Sequence, residues 1–341
     1  MRTVYFIKLN TFYQTKEKKY VGDVITEDGK NDQNIAARKA RAFAIAGDIL
    51  AILEEVPLGP YRIDAGLCMR NAMFLNAILT NSETWYGITS SHVLELQEVD
   101  EYLLRKILKA HSKTPKEMLH LETATVPIKY IIKSQRLSYL HNILNRKKSE
   151  LISKIFYAQK RRPVKDDWAE TIKKDIEDIE LNLSEENIRL MKKGKFKNIL
   201  KKKIHQAAFK DLQNKKLFHS KVDHIIYSDF KVQKYVKSYL FRTDEKQLLF
   251  KLRTRMTNSK SNFKSMHGKI DYNLCDKNLP QTDSHLLDCT AILENCPNLA
   301  RDSVSEYEDI FGNLEKQLKI TKLFKEVFEA KQNIDEEISS N

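Results

Sequence analysis

Hydrophobic and polar positions change their rhythm near Asn34. Before it the chain reads as extended: Val4 to Leu9 form one run and Lys19 to Thr26 a second. The second run ends at Glu27-Asp28-Gly29-Lys30, where Asp-Gly signals a hairpin turn. After Asn34 the spacing is helical, with Ile35, Ala42, Ala46, Ile49 and Leu53 on one face and Arg38, Lys39 and Arg41 near the start. Pro57-Leu58-Gly59-Pro60 stops that helix. Ala65 to Leu79 reads as a buried helix interrupted by Arg70, Asn71 and Asn76. A third helix is expected over Ser91 to His111, with Leu94, Leu96, Leu103, Ile107 and Leu108 apolar.

Cap signals organise the middle of the chain. Thr114-Pro115-Lys116-Glu117 predicts a helix start, with Thr114 as N-cap, Pro115 at the first helical position and Glu117 closing a capping box. A helix from Pro127 to Asn145 follows, and Asp166-Asp167 before Trp168 read as charge at a helix N-terminus. Ser184 with Glu185 and Glu186 predicts another start. Phe196, Ile199, Leu200, Ile204, Ala208 and Leu212 line one side of the next helix, with Lys195, Lys197, Lys201, Lys202 and Lys203 around the others. Short helices are expected over Ser228 to Leu240 and Thr243 to Met256, and an amphipathic one over Asn313 to Glu329. The pattern predicts a mainly α fold: helical bundles, one short N-terminal β-hairpin and a small knuckle-like loop.

Composition sharpens this picture. Nine glycines and seven prolines in 341 residues favour long helices, and 41% hydrophobic with 31% charged residues marks a globular, highly charged chain. No run approaches the ~18 apolar residues of a membrane span, so no membrane partner is expected. Four scattered cysteines argue for a reducing, intracellular setting, nucleus or cytoplasm. The net charge of +13 is concentrated: Arg189 to Lys269 hold 23 Lys/Arg against 5 Asp/Glu, whereas Asp271 to Asn341 hold 7 against 15. Such a cluster is either a polyanion footprint or a solvated lysine face.

Several chemistries are absent by spacing. There is no G-x-G-x-x-G loop, P-loop, H-E-x-x-H helix or G-x-S-x-G elbow. No small-molecule substrate is expected, and the chain alone should catalyse nothing. One stretch carries metal chemistry: Tyr272, Cys275, His285 and Cys289 follow the spacing of a zinc knuckle with tyrosine at the first ligand position. Cys296 could complete a tetrahedral Zn²⁺ site, or the cysteines are ordinary buried thiols.

A collinear series then stands out: Asn81-Ser82-Glu83-Thr84-Trp85-Tyr86, Leu103-Leu104-Arg105-Lys106-Ile107-Leu108, His111-Ser112-Lys113-Thr114-Pro115, Arg136-Leu137-Ser138-Tyr139-Leu140-His141, Asp167-Trp168, His219-Ser220-Lys221 and Leu249 to Met256. Over Lys19 to Asn333 this resembles the C-terminal part of the reverse transcriptase polyprotein of non-LTR retrotransposons. The resemblance makes Tyr20-Val21-Gly22 the primer-grip motif. It divides the chain into a palm remnant (1–33), a thumb (34–112), a helical linker (113–256), a degenerate zinc knuckle (257–300), and an amphipathic helix with an acidic tail (301–341). The catalytic palm box is missing. A non-catalytic fragment binding RNA, RNA–DNA hybrid or DNA is implied. A free-standing helical scaffold for protein partners, or a pseudogene product, is the alternative.

In that reading Arg38, Lys39 and Arg41 track duplex from the thumb, unless they form a solvated helix face. Lys201, Lys202 and Lys203 meet phosphates from the linker, and Arg253, Arg255, Lys260 and Lys264 do so beside the knuckle. Trp85 and Tyr86 follow an apolar helix, a position that favours core over base stacking.

Overall fold

The computed structural model describes residues 5–8, 11–14, 17–20, 23–26, 30–85, 87–165, 167–257, 259, 262, 281–296 and 303–340. The fold is mainly α. It divides into two compact units, each gathered from three stretches: 1–51, 68–103 and 125–214 in the first, and 52–67, 104–124 and 215–341 in the second. The units therefore cut across the linear segments read from the sequence.

The first unit opens with two antiparallel strand pairs, β1 (Tyr5–Lys8) with β2 (Thr11–Gln14), and β3 (Glu17–Tyr20) with β4 (Asp23–Thr26). In the second pair Tyr20 stands opposite Asp23, and the expected turn at Asp28-Gly29 lies outside the described residues. Beyond β4 the chain turns into helix α1 (Asp32–Glu55), and Thr26 Oγ1 donates to Lys30 O across that bend (3.1 Å).

Asp23 ties this hairpin to the helices. Its carboxylate accepts from Asn34 Nδ2 (3.1 Å), Arg38 Nη2 (2.5 Å), Asn81 Nδ2 (2.9 Å) and Trp85 Nε1 (3.4 Å). Burial pushes the Asp23 carboxyl up, but Asn81, Arg38 and Asn34 outweigh it and hold it below its ordinary value.

The helix expected over Ala65 to Leu79 is α2 (Arg62–Met69) and α3 (Leu75–Leu79) joined by a π turn, Arg70–Phe74. Arg70 opens that turn and is 1% exposed. Its Nε and Nη2 each lie 2.6 Å from Asp100 of α4 (Ser90–Ile107), and Nη2 also donates to Val126 O (3.3 Å). The polar residue that interrupts an apolar run is thus a bidentate interior ion pair. Gln97 Oε1 accepts from Ile128 N (2.7 Å), satisfying a donor at the start of α6 (Ile128–Leu144).

Around α6 stand α7 (Leu151–Arg161), which the sequence pattern did not single out, α8 (Trp168–Asp178), α9 (Glu185–Leu190) and α10 (Lys193–Lys216). Arg136 of α6 pairs with Asp175 of α8 at 2.7 and 2.9 Å. His141 stacks on Phe196 of α10 with ring centres 5.2 Å apart. The expected cap at Ser184 forms, accepting from Asn187 N (3.1 Å), and Asp167, expected as helix N-terminal charge, also caps by accepting from Glu170 N (2.8 Å). Position 166 lies outside the described residues.

The second unit is built on α5 (Lys116–Thr123), whose residues Glu117 to Thr123 are all buried. Its start corrects the expected cap. Pro115 occupies the N-cap, and the buried Thr114 hydroxyl finds no partner among the described residues. The region 228–240 contains only the short helix α11 (Lys234–Lys237), followed by α12 (Thr243–Arg253). Then come α13 (Asp283–Leu286), α14 (Thr290–Asn295), a 3-10 segment (Ser303–Phe311) and α15 (Leu314–Ser340), which runs beyond its expected end. Among the described residues no helix is long and apolar enough to cross a membrane.

Candidate nucleic-acid interface

α10 is the element on which a polyanion surface is most directly built. Phe196, Leu200, Ile204, Ala208 and Leu212 recur every fourth residue and are all buried. That stripe directs the intervening lysines outward: Lys193, Lys195, Lys197, Lys201 and Lys202 are exposed. Lys203 is different. It is half-buried beside a concavity of about 270 Å³ whose wall includes Asp178, Glu180 and Asp211. Those carboxylates pair with Lys133, Lys210 and Lys129, so burial is what sets Lys203 apart, and the exposed Lys201 and Lys202 are the stronger phosphate candidates. Beside them, the His205 imidazole is lowered by burial and by Lys201, so it adds little positive charge at neutral pH.

The helix α1 cluster separates into three different residues. Arg38 is 3% exposed, donates to Asp23 and to Ile78 O (2.8 Å), and lies 4.7 Å from the centre of the Trp85 ring. It is a structural clamp, correcting the expectation that it contacts nucleic acid. Trp85, 4% exposed, is core as expected. Lys39 is half-buried and pairs with Glu95 (3.5 Å) and Glu98 (3.7 Å), whereas Arg41 is exposed.

Arg253 is a second correction. It is 5% exposed, its Nε lies 3.1 Å from Glu122 Oε1 and its Nη1 3.2 Å from Ile310 O. Glu122, fully buried, also accepts from Tyr227 Oη (2.5 Å). Burial works against the Arg253 charge, but Glu122 outweighs it and raises the guanidinium further above its ordinary value. Burial and then Glu122 push the Tyr227 and Tyr235 phenols up, so both stay protonated. The guanidinium is also among the groups lining a concavity of about 1030 Å³, with His224, Tyr227, Tyr235, Phe311 and Gln317. Its charge there is already spent on Glu122.

Two further lysines of the basic region are interior. Lys216 Nζ donates to Val222 O (2.9 Å), Asp223 O (2.8 Å) and Ile225 O (2.6 Å). Lys246 Nζ donates to Pro60 O and Val236 O, both at 2.6 Å. Backbone carbonyls take the place of phosphate for these cations, so the local charge excess overstates what a ligand meets. Arg255, by contrast, is exposed. Lys260 and Lys264 lie outside the described residues, as do Tyr86, Tyr272 and Cys275.

The knuckle residues that are described do not converge. Among the described residues no group of three or more His, Cys, Asp and Glu side chains could hold a metal. His285 and Cys289 are buried around α13 and α14. Cys296 Sγ donates to Glu326 O of α15 (3.5 Å), and burial followed by Glu326 and Glu329 pushes its thiol up. Of the expected set, His285, Cys289 and Cys296 are described and Cys275 is not.

The basic stretch read from the sequence covers Lys221 and Lys251 but not Lys109 or Lys113, which belong to a separate stretch that only the fold brings near them. No family model, curated protein or solved structure matches the chain.

Proposed function

We propose that this chain is a non-catalytic segment of a non-LTR retrotransposon reverse transcriptase. In this reading it binds RNA or RNA–DNA hybrid without sequence preference, through phosphate contacts. The observation that carries the binding reading is α10, where a buried apolar stripe leaves Lys193, Lys195, Lys197, Lys201 and Lys202 exposed. Point charges on a rigid helix neutralise phosphates without reading bases. Polymerase chemistry belongs to a palm supplied by a longer polyprotein, and Zn²⁺ held by Cys275, His285, Cys289 and Cys296 would serve only to shape the knuckle.

The rival is a helical scaffold for protein partners, favoured by the exposed side chains of Phe218 (87%) and Ile226 (89%). A salt titration of labelled RNA separates the two. With ~6 phosphates neutralised, log K falls with log salt at a slope of about −4 to −5, and Lys201→Gln/Lys202→Gln makes it shallower by up to ~2. No binding at low salt would select the scaffold.

A further inference from the structure

Two helices of the unit holding residues 104–124 and 215–341 end in the same unusual way. At the end of α4, Ala110 N donates to Arg105 O (2.9 Å) and Lys109 N to Lys106 O (3.2 Å). At the end of α12, Met256 N donates to Lys251 O (2.9 Å) and Arg255 N to Leu252 O (3.1 Å). These are the paired bonds of a Schellman ending, which places one residue in the left-handed region and strongly favours glycine there. Here the left-handed residues are Lys109 (φ 47°) and Arg255 (φ 51°). A Cβ crowds the backbone in that conformation, so both ends accept strain while keeping a long basic side chain.

The end of α4 meets the middle of α12, one turn before Lys251. Gln247 Nε2 of α12 donates to Ile107 O in the last turn of α4 (3.0 Å). A third stretch joins them where Lys221 Nζ donates to Asn262 O. Arg105 Nη1 donates to His111 O (2.9 Å), and His111 Nδ1 accepts from Lys113 N (3.1 Å), fixing the turn that carries Lys113.

The crowding of like charge is felt by its members. Burial and then Lys109 hold the Lys251 ammonium below its ordinary value. Burial, Lys113 and Arg255 do the same to Lys221, against an opposing pull from Asp283. The His111 imidazole is lowered by burial and then by Lys113, Lys221, Lys251 and Arg105. Asp283 offsets Lys221 and Arg255 only in part, because burial raises its carboxyl, and Thr257 Oγ1 and Ser259 Oγ already donate to it.

We propose that Lys109, Lys113, Lys221, Lys251 and Arg255 form a second phosphate-binding site, for the backbone of an RNA strand, distinct from the lysines of α10. The proposal rests on the RNA-binding reading above but not on its residues. Several cations packed against one another are relieved most by a ligand with several closely spaced charges, and a strand of phosphates supplies them while releasing counterions. Four ammonium groups and one guanidinium meet phosphates through charge and charge-assisted hydrogen bonds without reading a base.

The test uses the strain itself. In Lys109→Gly/Arg255→Gly the favoured residue returns to both helix ends, so thermal stability should hold or rise. RNA binding by the full chain should nevertheless weaken, with a salt slope shallower by about 1.4 for a single strand, 0.7 for each lost contact. The exposed Lys113→Gln should shallow it by a further ~0.7. Slopes parallel to wild type in both variants would overturn the proposal, as would binding of poly-glutamate as tight as that of RNA. Measured beside Lys201→Gln/Lys202→Gln, the result assigns blame. Loss only in the α10 variant sinks the second site, loss only in the glycine variant sinks α10 as an interface, and a wild type that binds no RNA removes both.

Discussion

If Arg253 is an interior partner of Glu122, its substitution is a folding lesion and not a binding lesion. The Glu122 side chain is 0% exposed and that of Arg253 7%, with Tyr227 donating to the same carboxylate oxygen. Arg253→Met would leave a carboxylate in the interior with one phenol for company, costing about 3–5 kcal/mol. Glu122→Leu would strand the guanidinium against Ile310 O and the faces of Phe311 and Tyr235, and would also orphan the Tyr227 hydroxyl, adding about 1–3 kcal/mol. The double variant removes both charges. It should lie much nearer wild type than the sum of the singles, giving a coupling energy of about 3 kcal/mol or more. Urea unfolding followed by far-UV circular dichroism supplies the cycle. The salt slope for RNA, measured on folded Arg253→Met, should match wild type. An Arg253→Met protein of unchanged stability whose slope is shallower by about 0.7–0.9 would refute the interior reading and restore Arg253 as a phosphate contact.

Three further outcomes are expected. Thr114→Val should leave stability unchanged or raise it by up to ~1 kcal/mol, because a buried hydroxyl without a partner among the described residues is removed; a loss of about 1 kcal/mol in urea unfolding would reinstate Thr114 as a working N-cap. Gly66→Ala should destabilise by about 1 kcal/mol: a Cβ there meets Ile107 Cδ1 and Leu53 Cδ1 at 3.1 Å, and overpacking outweighs the helix propensity gained. A higher unfolding midpoint for the alanine variant would contradict that packing. Burial raises the Asp283 carboxyl despite its hydroxyl donors, so the unfolded chain gives up this proton first. Wild-type stability should then fall as pH rises from the ordinary carboxylate pKa through the raised native one. Asp283→Asn should flatten that part of the profile, and an unchanged profile would show that the group is not raised.

Much of the architecture was legible because local chemistry and tertiary demand agree. The spacing of Ile35, Ala42, Ala46, Ile49 and Leu53 foretold α1, the Phe196 to Leu212 stripe foretold α10, and the caps at Asp167 and Ser184 formed where their side chains could reach a free backbone N–H. Periodicity and capping are properties of a few neighbouring residues, so a linear chain records them. What each cation does is not recorded there. Arg38, Lys216, Lys246 and Arg253 look like surface charge in the sequence, yet each finds its acceptor in another turn, loop or helix. Arg70 looked like an interruption until Asp100 met it across the fold. The register of β3 on β4, with Tyr20 opposite Asp23, is held by strand pairing and by the Asp23 contacts to Asn34, Arg38 and Asn81, which turn propensity alone cannot supply. Composition counts charges, but burial decides which of them a ligand can meet, and burial depends on residues far apart in the chain. The left-handed Lys109 and Arg255 show the same division: the sequence carries two ordinary basic residues, and only the backbone geometry reveals that each stands where glycine would fit more easily.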